Sequence, residues 1–245
     1  MRVDFYTNQG PSRSANQDGL FLGGESFVDT SAPLALTFAN DAGMFAVIDG
    51  MGGPAGGEMA TRVILGGLQN VAGKSGDCLF LEREFLNIQK IIHAEAFFFP
   101  RMGAAIAGIW INPEASLVFN CGDCRVYRSR SGFLERLTHD HSVVQELVDA
   151  GRITEDEARY HPRKNLMTSA LAADDPDPQI YCREIGVAAG DQFLLCSDGL
   201  WECLSLEEME ECMANPPEIA ANALKEAVWE NTARDNVSFA ILTFG

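Results

Sequence analysis

The chain has 245 residues, 47% hydrophobic and 22% charged, with a formal net charge of -17. That is an ordinary globular composition with enough length for one large core. The acidic balance argues against nucleic acid or an anionic membrane as a partner, because both are bound through a basic face.

No stretch approaches the ~20 apolar residues of a membrane helix. Met1-Arg2-Val3-Asp4-Phe5 lacks the apolar core of a secretory signal, so a cytoplasmic location is expected. No internal repeat or linker interrupts the chain, and a single domain over 1–245 is expected. Polar turn formers run from Asn8 to Asn16, and a strand is predicted near Met44 to Asp49. A glycine-rich turn follows it, then a helix from about Ala55 to Val71. A second helix, from Leu81 to Phe98, carries Leu81, Phe85, Ile88 and Ile92 at helical spacing. Its Phe97-Phe98-Phe99 end reads as core packing. From Ala104 to Glu135 short strands alternate with the turn signals Asn112-Pro113 and Ser131-Gly132, as in an antiparallel meander.

Ser142-Val143-Val144-Gln145 and Thr154-Glu155-Asp156-Glu157 fit capping boxes opening short helices. The polar stretch they occupy, residues 138–177, reads as a lid over a site. Strands are predicted at Gln179–Ile185 and Gln192–Cys196, a helix capped by Ser205, another helix from Glu218 to Asn231, and a final strand from Val237 to Phe244. Helices come in adjacent pairs and strands in adjacent runs, which favours α+β over a doubly wound sheet.

One pattern recurs: an apolar run, then aspartate beside a turn former. It appears in Phe45-Ala46-Val47-Ile48-Asp49-Gly50, in Leu117-Val118-Phe119-Asn120-Cys121-Gly122-Asp123 and in Phe193-Leu194-Leu195-Cys196-Ser197-Asp198-Gly199. Asn16-Gln17-Asp18-Gly19 and Arg234-Asp235-Asn236 place two more aspartates beside turn formers. Carboxylates at strand ends can converge, and converging carboxylates repel unless a cation neutralises them. Hard oxygen ligands of this kind suit Mg2+ or Mn2+.

Gly50-x-Gly52-x-x-Ala55 taken alone matches a dinucleotide fingerprint. Asp49 would then face the pyrophosphate, and no acidic residue follows at the required strand end. Seven cysteines, an odd number, suggest free thiols, several of them buried. Cys121-Gly122-Asp123-Cys124 has the spacing of a redox pair or half a zinc site, without the second pair that zinc needs.

In motif order, the chain resembles the metal-dependent serine/threonine protein phosphatases of the 2C type, in their compact bacterial form. The carrying motifs are Arg13-Ser14-Ala15-Asn16-Gln17-Asp18, Asp49-Gly50-Met51-Gly52-Gly53, Gly122-Asp123-Cys124-Arg125, Ser197-Asp198-Gly199-Leu200-Trp201 and Arg234-Asp235-Asn236-Val237-Ser238. Leu137-Thr138-His139-Asp140-His141-Ser142, continuing to Asn165, is similar to the family's flap.

The resemblance implies an α+β fold: a central sandwich of two antiparallel sheets flanked by pairs of helices, with a small flap subdomain. It implies that Asp49 bridges two Mn2+ or Mg2+ ions, that the Gly50 carbonyl completes one shell, and that Asp198 and Asp235 hold the other. Asp18 would act near the cluster through water, and Asp123 would serve a third, weaker ion. Two cations ~4 Å apart lower the pKa of a bridging water, and the resulting hydroxide would attack phosphorus in line. Arg13 would hold the phosphoryl oxygens in a charge-assisted fork. His139, His141, His161 and Asn165 would contact substrate from the flap, whereas His93 reads as a helix-surface residue.

The implied activity is hydrolysis of phosphoserine and phosphothreonine in proteins, by a monomer that opposes a serine/threonine kinase. A catalytically silent phosphoprotein-binding module and a small-phosphoester hydrolase are the alternatives. Three departures stand out. Met51 replaces the histidine of eukaryotic relatives, Met102-Gly103-Ala104-Ala105 replaces Gly-Thr-Thr, and Asn165-Leu166-Met167-Thr168-Ser169-Ala170-Leu171-Ala172 departs from the usual Thr-Arg-Ala-Leu-Gly ending.

Overall fold

The protein is described by a computed structural model covering residues 1–28, 34–37 (backbone only), 42–112 and 115–245. Strands β1 (Arg2–Asn8), β2 (Gly19–Leu22), β3 (Glu25–Val28), β4 (Leu34–Thr37) and β5 (Gly43–Met51) lead into helices α1 (Pro54–Val71) and α2 (Cys78–Glu95). Strands β6 (Gly103–Ile111), β7 (Ser116–Cys121), β8 (Arg125–Arg130) and β9 (Phe133–Arg136) follow, then short helices α3 (Val143–Asp149) and α4 (Glu155–Arg159). The chain continues through β10 (Leu171–Ala172), β11 (Tyr181–Ile185), β12 (Gln192–Cys196), α5 (Asp198–Trp201), α6 (Leu206–Met213), α7 (Pro217–Glu230) and β13 (Val237–Thr243).

The strands form two antiparallel sheets, ordered β4-β1-β13-β12-β8-β9 and β11-β7-β6-β5-β2-β3, with β10 added on β6. Side-chain alternation along each strand builds the layers. In β5, Phe45 and Val47 point into the core between the sheets, while Met44, Ala46 and Ile48 point at α1 and α2. In β13, Ala240 and Leu242 join the same central core, while Phe239 and Ile241 pack under α6 and α7. The result is helices, sheet, sheet, helices: the expected sandwich flanked by helix pairs. Runs apolar on every residue follow directly, since both faces of these strands are covered.

Several expectations are corrected. The second helix starts three residues earlier than its apolar spacing indicated, because Asp77 caps it by accepting from the Phe80 amide at 2.9 Å. It stops at Glu95, so Phe97 and Phe98 are not core residues: they are 87% and 71% exposed, and only Phe99 packs inward. The stretch from Ala104 to Glu135 is not one meander. β6 and β7 pair in one sheet, β8 and β9 in the other, and the chain crosses between sheets at Gly122–Cys124. The Asn112-Pro113 turn signal cannot be followed, since Pro113 lies outside the described residues.

Thr154 and Ser205 close full capping boxes, whereas Ser142 makes only half of one. Its partner Gln145 turns instead to Asp149 and Arg136. The cysteines are not all free. Cys78 at the start of α2 and Cys182 on β11 form a disulfide, their Cα atoms 5.6 Å apart. Cys121 and Cys124 are buried and unbonded, and burial pushes both thiols up, Cys121 to about 12. Neither the redox nor the zinc reading of that spacing survives.

Candidate metal centre

Five strand ends and turns deliver the aspartates to one end of the sandwich. Asp49 follows Ile48 in β5 and so points to the side between the sheets, opposite Ala105 in β6. Asp123 sits in the turn where the chain crosses from β7 to β8, and Asp198 is the first residue of α5, immediately beyond β12. Asp235 precedes β13 and Asp18 precedes β2. Two glycines make this convergence possible. Gly52 has φ +99, and a Cβ there would meet the Arg101 carbonyl at 1.8 Å, so only glycine lets β5 turn directly into α1. A Cβ on Gly199 would lie 1.9 Å from the Asn236 carbonyl, so glycine lets the Asp198 and Asp235 segments meet.

The resulting cleft, about 550 Å³, is lined by Arg13, Asp49, Gly50, Asp123, Asn165, Asp198 and Asp235, with Met51, Ala105 and Met167 as apolar wall. Asp18 lies just beneath and is 1% exposed. His141 and His161 do not reach the cleft. The His141 Nδ1 accepts from the Gly122 amide at 3.1 Å, behind the Asp123 turn, and the His161 Nδ1 accepts from the Arg163 amide at 3.1 Å. His93 is exposed, as expected, and hydrogen-bonds Gln89 and the Asp175 carbonyl.

The electrostatics are those of crowded buried carboxylates. Burial first, then Asp198, Asp18, Asp123 and Asp235, pushes Asp49 well above the usual carboxylate range. Burial raises Asp18 to about 7 against the opposing hydrogen bonds of Ser238 and Ser197. Burial and Asp198 raise Asp123 to about 8, and burial and Asp235 raise Asp198 to about 7. Two buried oxygens, Asp18 Oδ1 and Asp198 Oδ1, have no hydrogen-bond partner. Orphaned buried carboxylate oxygens beside like charges cost free energy, and a hard divalent cation is the partner this donor set fits.

As the side chains lie, among the described residues no three of them converge on one point that would hold an ion. The carboxylates are near enough to repel, and two of them are engaged by other side chains. Arg13 takes both oxygens of Asp235, with Nε to Oδ1 at 2.7 Å and Nη2 to Oδ2. Ser197 Oγ donates to Asp18 Oδ2 at 2.8 Å.

Sequence reasoning missed the groups behind the aspartates. Ser197 Oγ accepts from the Ser238 amide at 3.1 Å, Ser238 Oγ meets Thr7 Oγ1 at 2.7 Å, and Asn16 Nδ2 donates to Thr7 Oγ1 at 2.8 Å. This buried polar chain pins one oxygen of Asp18 and leaves the other free. Asn236 accepts from the Gln17 amide and donates to the Gln9 and Ala15 carbonyls, holding the Arg13 loop. The Trp201 indole donates to the Asp123 carbonyl at 3.0 Å, and the Arg125 guanidinium lies 3.5 Å from the centre of its ring. The available signal was position: Ser197, Asn236 and Ser238 flank Asp198 and Asp235 in the same motifs.

Ser197→Ala is expected to weaken Mn2+ binding roughly 10- to 100-fold while the fold holds, the usual effect of removing a group that orients a ligand. Calorimetric titration with Mn2+ measures it, and an unchanged affinity would remove Ser197 from the site.

No family model matches the chain. Over 249 residues it is 32% identical to serine/threonine protein phosphatase PstP of Mycobacterium tuberculosis, covering 98% of this chain and 44% of that protein, so the chain spans about half the length of that relative. It is 30% identical over 222 residues to a putative protein phosphatase 2C-type of Streptococcus pyogenes serotype M6, covering 85% of this chain and 82% of the relative. The structure superimposes on the crystal structure of the catalytic domain of serine threonine protein phosphatase PstP in complex with two manganese ions, with TM-score 0.78, 29% identity and 98% of each chain covered. The chain belongs to the 2C-type family of protein phosphatases.

Proposed function

We propose that the chain hydrolyses phosphoserine and phosphothreonine in proteins at a centre of two divalent ions. The observation that carries this reading is the gathering of Asp49, Asp123, Asp198, Asp235 and Arg13 around one cleft, with buried carboxylate oxygens that no protein group satisfies. Asp49, Asp198 and Asp235 would hold the ions, with the Gly50 carbonyl completing one shell; Asp18 would assist from below through Oδ1, and Asp123 would serve a third ion. Mn2+ and Mg2+ both suit the donors, and bound there they would activate water as a nucleophile near neutral pH.

The chain's own groups do the rest. Arg13, already poised as a bidentate fork on Asp235, turns that fork to two phosphoryl oxygens. Asn165 offers an amide from the 138–177 segment, which acts as a flap over the cleft. Met51, Ala105 and Met167 give the cleft a dry wall that strengthens every charge interaction inside it. Among the described residues no histidine lines the cleft, so the leaving group's proton would come from solvent.

The partners proposed are phosphoproteins and an opposing serine/threonine kinase, acting on a monomeric single-domain enzyme. Among the described residues no helix is long and apolar enough to cross a membrane, and the cytoplasm is the proposed site of action. The Cys78–Cys182 disulfide pulls the other way, since such bonds are uncommon in reducing compartments.

The test is phosphate release from a phosphothreonine peptide with Mn2+ titrated in and then chelated. Release that EDTA abolishes and Asp198→Ala lacks is the expected result. Metal binding without release from the wild-type chain would overturn the enzymatic reading in favour of a silent binding module.

A further inference from the structure

We infer that a second cleft, on the far side of Asp123, seats the polypeptide flanking the phosphorylated residue and selects a large apolar side chain there. The inference rests on the phosphatase reading and adds the substrate preference. This cleft measures about 670 Å³, and Asp123 lines both it and the catalytic cleft, so the two flank one residue. A phosphoresidue at the Asp49 end therefore leaves its neighbours in sequence at the mouth of the second cleft.

The walls determine what they meet. One side is the 138–177 segment, contributing Val144, Ala158 and Tyr160; the other is α5 and α6, contributing Trp201, Leu206 and Met209. Tyr160 is 82% and Leu206 46% exposed, so large apolar surface stands open at the rim. The charges around it are mostly satisfied from within. Arg125 grips Asp140, Arg136 reaches Gln145 and Glu155, Lys164 pairs with Glu202, and Arg159 donates to the Glu202 carbonyl. A charged ligand would have to break these pairs, whereas an apolar side chain has only water to displace. An apolar cleft of this volume with convergent polar groups is of the size and character that binds ligands. The occupant is a substrate segment because the cleft shares Asp123 with the cleft where the phosphoryl group must lie. The chain's charge of -17 further disfavours an acidic segment.

The floor links occupancy to the reaction. Trp201 forms part of the wall, and its indole N–H holds the Asp123 carbonyl. A side chain pressed against Trp201 therefore steadies the turn that carries Asp123, so the effect reaches kcat as well as KM.

The experiment compares three substrates with the Mn2+-loaded protein: p-nitrophenyl phosphate, a phosphothreonine peptide with leucines two and three residues to either side, and the same peptide with serines there. The leucine peptide is expected to exceed the serine peptide in kcat/KM by roughly 10-fold or more, the worth of burying one such side chain. Leu206→Asp is at the first position of α6, where an acidic residue suits the helix. It should collapse the leucine/serine ratio towards one, and Tyr160→Ala should lower it.

Equal kcat/KM for the two peptides, or a ratio untouched by both variants, overturns the inference while turnover of p-nitrophenyl phosphate leaves the phosphatase reading standing. Should no substrate turn over, that reading falls. Fluorescence anisotropy of the labelled leucine peptide, against wild type and Leu206→Asp, then decides the cleft alone: binding lost in the variant supports it, and no binding to wild type overturns it. A dimer in sedimentation that Leu206→Asp dissolves, without a peptide preference, would assign the cleft to a second copy and overturn the proposal.

Discussion

Asp49→Asn is expected to abolish phosphate release and, in EDTA, to make the protein more stable. Both effects come from one fact: Asp49 is held among four other carboxylates with burial as the largest penalty on its charge. An ion turns that penalty into binding energy; without one it is a cost of folding. The amide keeps the shape of the side chain and removes the charge. The gain is expected to show at pH 8, where the unfolded carboxylate is ionised and the folded one is held out of that state. For a chain of this size each kcal/mol gained appears as a rise in Tm of roughly 2–4 °C. Thermal unfolding followed by circular dichroism in EDTA measures it, and the order should reverse in saturating Mn2+, which stabilises only a chain that binds it tightly. A variant less stable than wild type in EDTA would mean that the carboxylates are not in conflict.

The same conflict sets a pH dependence whose sign can be worked out. Asp18 and Asp198 are raised from 3.8 to about 7, and Asp123 to about 8. Between the unfolded and folded values the native chain holds more protons than the unfolded one, so stability falls as pH rises. In EDTA the loss from these three should begin above about pH 4 and level off above about pH 8, and Asp49, raised by burial and its neighbours, adds to it with the same sign. Asp191 has the opposite sign: its pKa is lowered by Arg130, so its contribution is lost in acid, below the window where the cluster acts. Between pH 6 and pH 8 the cluster acts against one opposing group, His141, whose pKa burial lowers, and Asp49→Asn should flatten the fall.

Aspartates at strand ends were legible because both of their causes are local. An apolar run marks a strand covered on both faces, and the glycine after it marks where the strand must stop. β12 and the Ser205 and Thr154 caps follow from the same short-range rules. Elements fixed by distant contacts were not legible. β1 mixes Val3, Phe5 and Tyr6 with Arg2, Asp4, Thr7 and Asn8, and it is held between β13 and β4, a pairing with distant strands that its own periodicity does not reveal. The crossing of the chain between sheets at Gly122–Cys124 depends on which strands pair, and a row of short strands reads the same in one sheet as in two.

The site divides the same way. Residues inside the motifs, from Arg13 to Asp235, lie at one cleft, and Asn165 joins them. His141 and His161 were inferred from their place in the flap, and the Nδ1 of each accepts from a backbone amide away from the cleft. Phe97 and Phe98 read as core by composition, but α2 ends before them, and the chain turns through Phe99 to deliver Met102 to the wall behind Gly52 and Gly56.

Cys78→Ser is expected to lower stability by about 2–5 kcal/mol, the usual cost of removing a native disulfide. The bond joins residues 104 apart in sequence, closing a loop that contains α2, β6 to β10 and the whole 138–177 segment. Cross-linking so long a loop removes much of the freedom of the unfolded chain, which in the chain-entropy account is worth about 4–5 kcal/mol. The native position adds to the effect. Among the described residues β11 is the outermost strand of its sheet, paired only with β7, and the disulfide is its covalent tie to the helix layer. Close by, Gln89 of α2 donates to the Ala172 and Asp175 carbonyls at 2.6 Å each, so the return of the 138–177 segment is fastened to α2 at two places. Loss of the bond should therefore loosen residues 168–182 before the sandwich melts. Hydrogen exchange should show faster exchange there in Cys78→Ser, and denaturant unfolding should give the stability loss. Thiol titration of the denatured wild type, with no reductant present, should count five free thiols rather than seven. Seven would mean that the pair stays reduced, and the variant should then cost no more than an ordinary half-buried cysteine.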